Sequence, residues 1–462
     1  MTVTRRAFLG STAAAAGFTI VRPHVLGGPR HVAPSDTVNI ALVGAGGQGR
    51  SNLRELFKLD DARVVAVADP AESWDLGSFY YKGDAGRKPV CAEITRHYAG
   101  KSLDVKPAEY ADFREMLDKE KNLDAVLCAT PDHLHAYVSI RTMKAGKAIY
   151  CEKPLTHNVA EARRVAEVAR ETKVATQMGN QLHATPGLRQ TVEWLRAGVV
   201  GPIKEVHAWV GASRWNPTLR GKPTENETKP TGLNWDLWIG PREPRPFHHA
   251  YAPVAWRDFW AFGSGGLGDF GCHDLDSTVW ALDLENPLRI EASPAGYTDA
   301  DITPYGSIVH YRFPARGEQP PLALTWYDGG LRPALPDALP FGLTLPGRGA
   351  LFVGEKGVLL SQTGATPRIF PAERASGFTP PAPSLPRSKG HHREWLDAIK
   401  GGPPAASNFA YGARLSEIAL LGVLALRTGR TIDWDHVNLK ARGFPDADAA
   451  IHETYRSGWE LG

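Results

Sequence analysis

The stretch Thr37-Val38-Asn39-Ile40-Ala41-Leu42-Val43 runs directly into Gly44-Ala45-Gly46-Gly47-Gln48-Gly49, and a helix-forming segment, Arg50 to Lys58, follows it. The order is strand, glycine turn, helix. Gly44 suits the tight turn, Gly46 lets backbone approach a pyrophosphate, and Gly49 lets the helix pack close to the strand. A helix N-terminus placed there offers its free N–H groups to phosphate, with Gln48 beside them. A second apolar run, Val64 to Ala68, stops at Asp69, 20 residues beyond Gly49. That is where a ribose-binding acid is expected. A carboxylate at this place accepts from both ribose hydroxyls and repels a 2′-phosphate, which favours NAD over NADP.

The alternation continues outward from this unit. Helices are predicted around Phe113 to Lys119, His135 to Ala145 and Ala160 to Thr172, with strands at Leu123 to Ala129, Ala148 to Cys151 and Val174 to Met178. Such alternation implies a doubly wound parallel sheet ending near Asn180, with five strands named by the pattern against the six expected of a full dinucleotide-binding unit. In such sheets the residues just past strand C-termini face the ligand, which singles out Asp69, Thr130-Pro131 with His135, Glu152-Lys153-Pro154 and Asn180.

Past Asn180 the texture changes. A helix (Pro186 to Ala197) leads into Ile203 to Val210, then into long loops, with further strands at Ile308 to Phe313, Leu322 to Tyr327, Ala350 to Val353 and Gly357 to Leu360. These read as an antiparallel sheet separated by Pro/Gly-rich loops, closed by helices at Arg393 to Lys400 and Ala410 to Arg427. Eight of the 13 tryptophans lie between Trp194 and Trp280. Aromatic faces stack on sugar rings, although a tryptophan is more often core. The domain plan is therefore a leader over 1–35, a Rossmann domain over 36–180 and an α/β domain over 181–462.

Composition excludes several classes. With 53 Lys+Arg against 50 Asp+Glu and 42% hydrophobic residues among 462, the chain is neither disordered nor a polyanion binder, so nucleic acid is not an expected partner. Cys91, Cys128, Cys151 and Cys272 have neither disulfide nor zinc spacing and read as buried apolar side chains. His391-His392 lacks an acidic or cysteine partner at ligand spacing, so no metal is expected. The first 35 residues hold four arginines and no acid, with Arg5-Arg6-Ala7-Phe8-Leu9 before an alanine-rich run. They resemble a twin-arginine export signal, too short and polar for a permanent span, and no later segment is expected to cross a membrane. Without the leader the formal charge moves from +3 to about −1.

The glycine turn with Asp69, Thr130-Pro131 with His135, Glu152-Lys153-Pro154, and Gly265-Gly266-Leu267-Gly268-Asp269-Phe270-Gly271-Cys272-His273 together resemble the glucose–fructose oxidoreductase/inositol dehydrogenase/rhizopine-catabolism (Gfo/Idh/MocA) family. The resemblance runs from Thr37 to about Asp435. It implies a Rossmann domain joined to an α/β domain whose open, mainly antiparallel sheet often forms the subunit interface, hence a homodimer or homotetramer. It also implies that Lys153 is the family's EKP lysine and that Asp269 and His273 are its Asp-x-x-x-His pair. Four residues apart, the pair shares a helix face. His273 would take the hydroxyl proton of a carbinol, Lys153 would stabilise the developing alkoxide, and Asp269 would position substrate or tune His273. Among the loop residues His183, Arg214, His248, His249, Tyr251 and Arg257, the candidates for sugar recognition are His183, Arg214 and Tyr251.

The expected activity is NAD-dependent oxidation of a sugar or polyol. An exported enzyme has no nicotinamide pool, so its cofactor would be retained and recycled in place, in the periplasm. Pairwise oxidation and reduction of two sugars is one such cycle. Oxidation, elimination, hydration and reduction of a glycoside, with net hydrolysis, is another, known in relatives with similar leaders; the segment Gln181 to Gly187 lacks the pattern of that glycosidase group. A non-catalytic sugar-binding protein that keeps NAD is a third reading, and intact Lys153, Asp269 and His273 argue against it.

Overall fold

Eight strands build the first half of the fold: β1 (Val38–Val43), β2 (Ala62–Ala68), the short hairpin strands β3 (Trp74–Asp75) and β4 (Asp84–Ala85), β5 (Ala108–Tyr110), β6 (Ala125–Cys128), β7 (Ala148–Glu152) and β8 (Thr176–Gly179). Six of them form one sheet in the order β5-β2-β1-β6-β7-β8, all parallel. Helices Gly47–Leu56, Arg87–Gly100, Phe113–Lys119, Asp132–Lys144 and Val159–Thr172 connect the strands and cover both faces. That is why β6 is a continuous apolar run and β1 and β7 depart from one only at Asn39 and Glu152, with no alternation. The chain builds outward from β1 to β5, then returns to β6 on the other side. The order therefore reverses between β1 and β6, and the crevice opens at the C-terminal ends of those two strands. The structure is a computed structural model describing residues 36–462. The expected export signal lies outside the described residues.

A nine-stranded sheet follows, made of β9 (Ile203–Val210), β10 (Arg289–Ala295), β11 (Gly306–Phe313), β12 (Leu322–Tyr327), β13 (Arg348–Gly354), β14 (Gly357–Gln362), β15 (Arg368–Phe370), β16 (Ile432–Asp435) and β17 (Lys440–Ala441). Its order is β15-β14-β13-β9-β12-β11-β10-β16-β17. Every pairing is antiparallel except β12 with β9. Part of one face is covered by the chain itself, where Leu339, Leu343 and Leu345 pack toward Trp209, Leu351 and Phe370.

Helix Phe409–Thr428 joins the two halves. Asn408 caps it by accepting from the N–H groups of Ala410 and Tyr411, and Gly429 ends it in the left-handed conformation. It packs on helices Val159–Thr172 and Gly265–Asp274 and on β10. By length and apolarity it could cross a bilayer, which corrects the expectation that no later segment approaches a span. Its residues are nearly all buried among other protein elements, which accounts for its composition.

Candidate active site

Gly44 closes β1 with φ +87°, and a Cβ on it would lie 2.6 Å from the Ala129 carbonyl at the end of β6. The two strand ends flanking the crevice thus approach closer than any side chain allows. At Gly49 a Cβ would sit 2.0 Å from the Gly44 oxygen, so this glycine fixes how tightly the helix docks on the turn. Gly46 is different: a Cβ there meets nothing within 4 Å. Its backbone faces a cleft of about 400 Å³ lined also by Gln48, Asp69, Thr130, Pro131 and His135.

At the far wall of that cleft stand Lys153, Asp269, His273, Arg257 and Arg348. Lys153 comes from the turn after β7. Asp269 and His273 come from one face of helix Gly265–Asp274, as their spacing requires. The Lys153 ammonium donates to the Asp269 carboxylate and, at 2.6 Å, to the Asp269 carbonyl. Nε of Arg257 lies 3.3 Å from the other carboxylate oxygen. Burial by itself would raise the Asp269 carboxyl, but Lys153 and Arg257 more than reverse that and hold it far below the usual carboxylate range. Burial likewise opposes the Lys153 charge, and Asp269 more than restores it, so the ammonium persists above its ordinary range. His273 goes the other way. Burial, then the positive charges of Lys153 and Arg348, press its pKa well below the ordinary imidazole value. Its Nδ1 is buried without a partner. An orphaned ring nitrogen on a residue lining a cleft is what a bound ligand would complete.

Residues 38–180 match the NAD-binding Rossmann-fold model of the Gfo/Idh/MocA oxidoreductase family, and residues 187–314 match the model of that family's C-terminal alpha/beta domain. Together the matches span more than half of the chain. The chain belongs to the Gfo/Idh/MocA family. The rhizopine catabolism protein MocA of Rhizobium meliloti is 28% identical over 262 residues, 56% of this chain and 62% of that protein. Levoglucosan dehydrogenase of Pseudarthrobacter phenanthrenivorans is 25% identical over 242 residues, 52% of this chain and 50% of that one. The chain therefore spans between half and two thirds of these curated relatives. Among solved structures, WlbA dehydrogenase from Chromobacterium violaceum, in complex with NADH and UDP-GlcNAcA, aligns over 87% of this chain and 97% of that one with a TM-score of 0.57. At 17% identity the likeness is one of fold.

The residues fit the NAD of a Gfo/Idh/MocA domain. The open face of Gly46 leaves room for a pyrophosphate, and the Asp69 carboxylate lines the same cleft. Its oxygens accept from the N–H groups of Ala45 (2.7 Å) and Ala71 (2.8 Å). Burial outweighs these bonds and pushes its carboxyl up to about 6. Glu152 accepts from Asn52 and Gln181, each at 2.8 Å. His135 sets both ring nitrogens against backbone carbonyls, Pro154 at 2.6 Å and Thr130 at 2.9 Å. It ties the two strand-end turns together instead of presenting a free nitrogen.

Four sequence candidates stand elsewhere. Asn180 is fully buried, donating to Asp276 at 3.0 Å and accepting from Ser407. It follows β8, the edge strand, two strands from the reversal, so its strand end does not face the crevice; the next residue, Gln181, reaches it instead. His183 is also fully buried, with Nδ1 3.0 Å from the Asp276 carboxylate and its ring stacked on Trp280. Tyr251 packs in an aromatic core with Phe259 and Phe262. Arg214 donates to five backbone carbonyls, those of Asn216, Pro217, Leu219, Tyr297 and Thr303. Each of these polar side chains is consumed by its own surroundings.

Two groups of metal-capable side chains occur among the described residues, Cys128/His135/Cys151 and Glu227/His248/His249. Both His135 nitrogens are engaged as above. Nδ1 of His248 accepts the Ala250 N–H at 3.1 Å, which puts the ring proton on Nε2, toward Glu227. That proton occupies the position a metal would need. His391 and His392 are buried, with Nε2 of His391 at 2.8 Å from the Met178 carbonyl and Nε2 of His392 at 3.2 Å from Asn52 Oδ1. Sequence reasoning singled out Arg257 only as a loop residue, and missed Arg348, Tyr81 and Trp215. Tyr81 lies in the β3–β4 hairpin, and a Cβ on Gly47 would fall 2.0 Å from its ring.

Proposed function

We propose that this protein is an NAD-dependent oxidoreductase that acts on a carbinol carbon of a sugar or polyol and keeps its cofactor through the cycle. The observation that carries the reading is the pairing, in one cleft, of a lysine held cationic with an imidazole held neutral. When bound, NAD supplies the acceptor for the carbinol hydride. The chain's own residues handle the proton and the charge. Neutral His273 accepts the hydroxyl proton on its ring. Lys153 donates a hydrogen bond to the oxygen that is left, and its positive charge stabilises the alkoxide as it develops. Asp269, ionised and braced by Arg257, fixes where the ammonium points.

We also propose export through the twin-arginine route to the periplasm, read from the leader's sequence, by which a folded protein would carry its cofactor with it. Assembly as a homo-oligomer through the large sheet fits the same plan. The test is to purify the full chain without added nucleotide, identify any bound nicotinamide by mass, and add sugars and polyols singly and in pairs. Bound NAD that survives gel filtration and becomes reduced by a sugar or polyol supports the reading. Steady NADH release from one free sugar, with NAD exchanging readily, would replace internal recycling with ordinary dehydrogenation. No reduction by any of them would remove the oxidoreductase reading.

A further inference from the structure

Trp215 is 38% exposed and Tyr80 is 59% exposed, and both line the mouth of the same cleft. Tyr80 belongs to the β3–β4 hairpin of the first half, Trp215 to a loop after β9. Their rings stack with centroids 5.4 Å apart and planes 13° from parallel. A lone exposed aromatic carries little information. The loop that holds Trp215 carries more. The N–H groups of Trp215 and Asn216 donate to the two oxygens of Asp258 at 2.9 and 2.7 Å, and Asp258 is 1% exposed. From the other side Arg214, 4% exposed, grips three carbonyls of the same loop and two of the segment beside it. Two buried charged groups thus immobilise the backbone of a loop whose most prominent side chain stays in solvent. Burying charge is costly, and here it fixes the position of one indole.

That position is informative. The Arg257 guanidinium lies 5.9 Å from the Trp215 ring and 4.1 Å from the Trp256 ring, while its Nε meets Asp269. One side chain separates the aromatic pair from the reacting cluster. A ring seated against the pair and a ring seated at His273 would therefore be neighbours in one ligand. A pyranose presents apolar C–H faces to an aromatic surface and hydroxyls to its rim, where the Arg257 guanidinium is at hand.

We propose that Tyr80 and Trp215 form a subsite for a second pyranose ring, so that the substrate is a disaccharide or similar glycoside whose neighbouring ring is oxidised at His273. This rests on the oxidoreductase reading of the cleft.

The experiment uses the full-length, NAD-loaded protein and two matched sets of probes: methyl pyranosides of gluco, galacto and manno configuration, and the corresponding α- and β-linked disaccharides. Binding is measured by calorimetry and, separately, reduction of the bound cofactor by absorbance. In the wild type the best disaccharide binds about tenfold more tightly than its methyl pyranoside, the size expected of one aromatic stacking contact. In Trp215→Ala and in Tyr80→Ala that ratio falls to within about twofold, whereas Trp215→Phe keeps most of it. Melting curves show whether each variant folds. Should Trp215→Ala not fold, Tyr80→Ala, at the exposed tip of a hairpin, decides the question. Equal binding of both sets, a ratio unchanged in folded variants, or no binding by any probe overturns the subsite. Disaccharide binding that depends on Trp215 without any cofactor reduction upholds the subsite and overturns the oxidoreductase reading. Equal binding of both sets, with the cofactor reduced by both, does the reverse.

Discussion

Asp69 makes the cofactor's affinity depend on pH in a direction fixed by its surroundings. With no nucleotide beside it, burial pushes the carboxyl up to about 6, against the pull of the Ala45 and Ala71 N–H groups and the Arg87 charge. To accept from ribose hydroxyls it must be ionised. The acid's pKa is raised in the free protein, so below about pH 6 binding has to expel a proton, and above it binding has nothing to expel. Affinity for NAD should therefore be level from about pH 8 to 7 and fall toward tenfold weaker by about pH 5, a loss of about 1.4 kcal/mol. Calorimetry in two buffers of different ionisation enthalpy reads the affinity and the released proton together, with about nine-tenths of a proton expected at about pH 5. Asp69→Asn should bind NAD more weakly and flatten the profile, and Asp69→Ser should narrow the gap between NAD and NADP. A wild-type affinity flat across this range, the same slope in Asp69→Asn, or NADP bound as tightly as NAD would refute the role given to this carboxylate.

Lys153→Met and His273→Ala should each lower the rate of cofactor reduction roughly 100-fold or more with NAD still bound, and the double variant should fall by less than the product. Because burial and neighbouring cations hold His273 neutral, the wild-type rate should show no acid limb near about pH 6.5; a limb there that vanishes in His273→Ala would contradict the environment described. Gly47→Ala drives a methyl into the Tyr81 ring and should cost about 1–3 kcal/mol in denaturant unfolding, with Tyr81→Ala on top of it costing less than the two single losses together; strict additivity would show that the ring does not abut the turn. Arg214→Met strips five carbonyls of their donor and should destabilise by about 2–4 kcal/mol, read as a lowered midpoint; a wild-type midpoint would show that these bonds do not hold the loop.

The first half of the fold was legible because its strands are buried on both faces and end in turns with their own residue chemistry. The glycine turn, Asp69 and Lys153 stand where strand ends put them. β5 escaped notice because Ala108-Glu109-Tyr110 is short and half exposed. β10 escaped because only Ile290 of its seven residues is buried, so the strand has no apolar period to read. The site candidates divide in the same way. Asn180 and His183 follow a strand end, but of an edge strand whose end opens onto Asp276 and not onto the crevice. Arg214 and Tyr251 are loop residues, and whether a loop side chain faces ligand or its own backbone is decided by packing that has no sequence period. Arg257, Arg348, Tyr81 and Trp215 come from four segments that no spacing connects.

What the motifs could not supply is the division of protonation states, and that division is a property of the cluster. Asp269 is ionised because Lys153 and Arg257 both face it; Lys153 is cationic because Asp269 faces it. His273 shares the helix of Asp269 and the same cleft but has the carboxylate only as a minor influence, so burial and the positive charges of Lys153 and Arg348 decide its state. Arg348 is itself engaged by Asp274, the residue next to His273 on the same helix, at 2.9 and 2.8 Å. A neutral base beside a fixed cation is the arrangement that lets a hydroxyl lose its proton in one direction while its oxygen gains negative character in the other. Replacing Asp269 by asparagine should therefore weaken both halves at once. Lys153 would lose the partner that restores its charge, and Arg257 would remain beside it as an unopposed cation. The rate should fall further than a single lost hydrogen bond explains, and it should recover in part as pH drops and Lys153 regains its proton. A rate deficit in Asp269→Asn that does not change with pH would show that the carboxylate contacts substrate and does not govern the lysine.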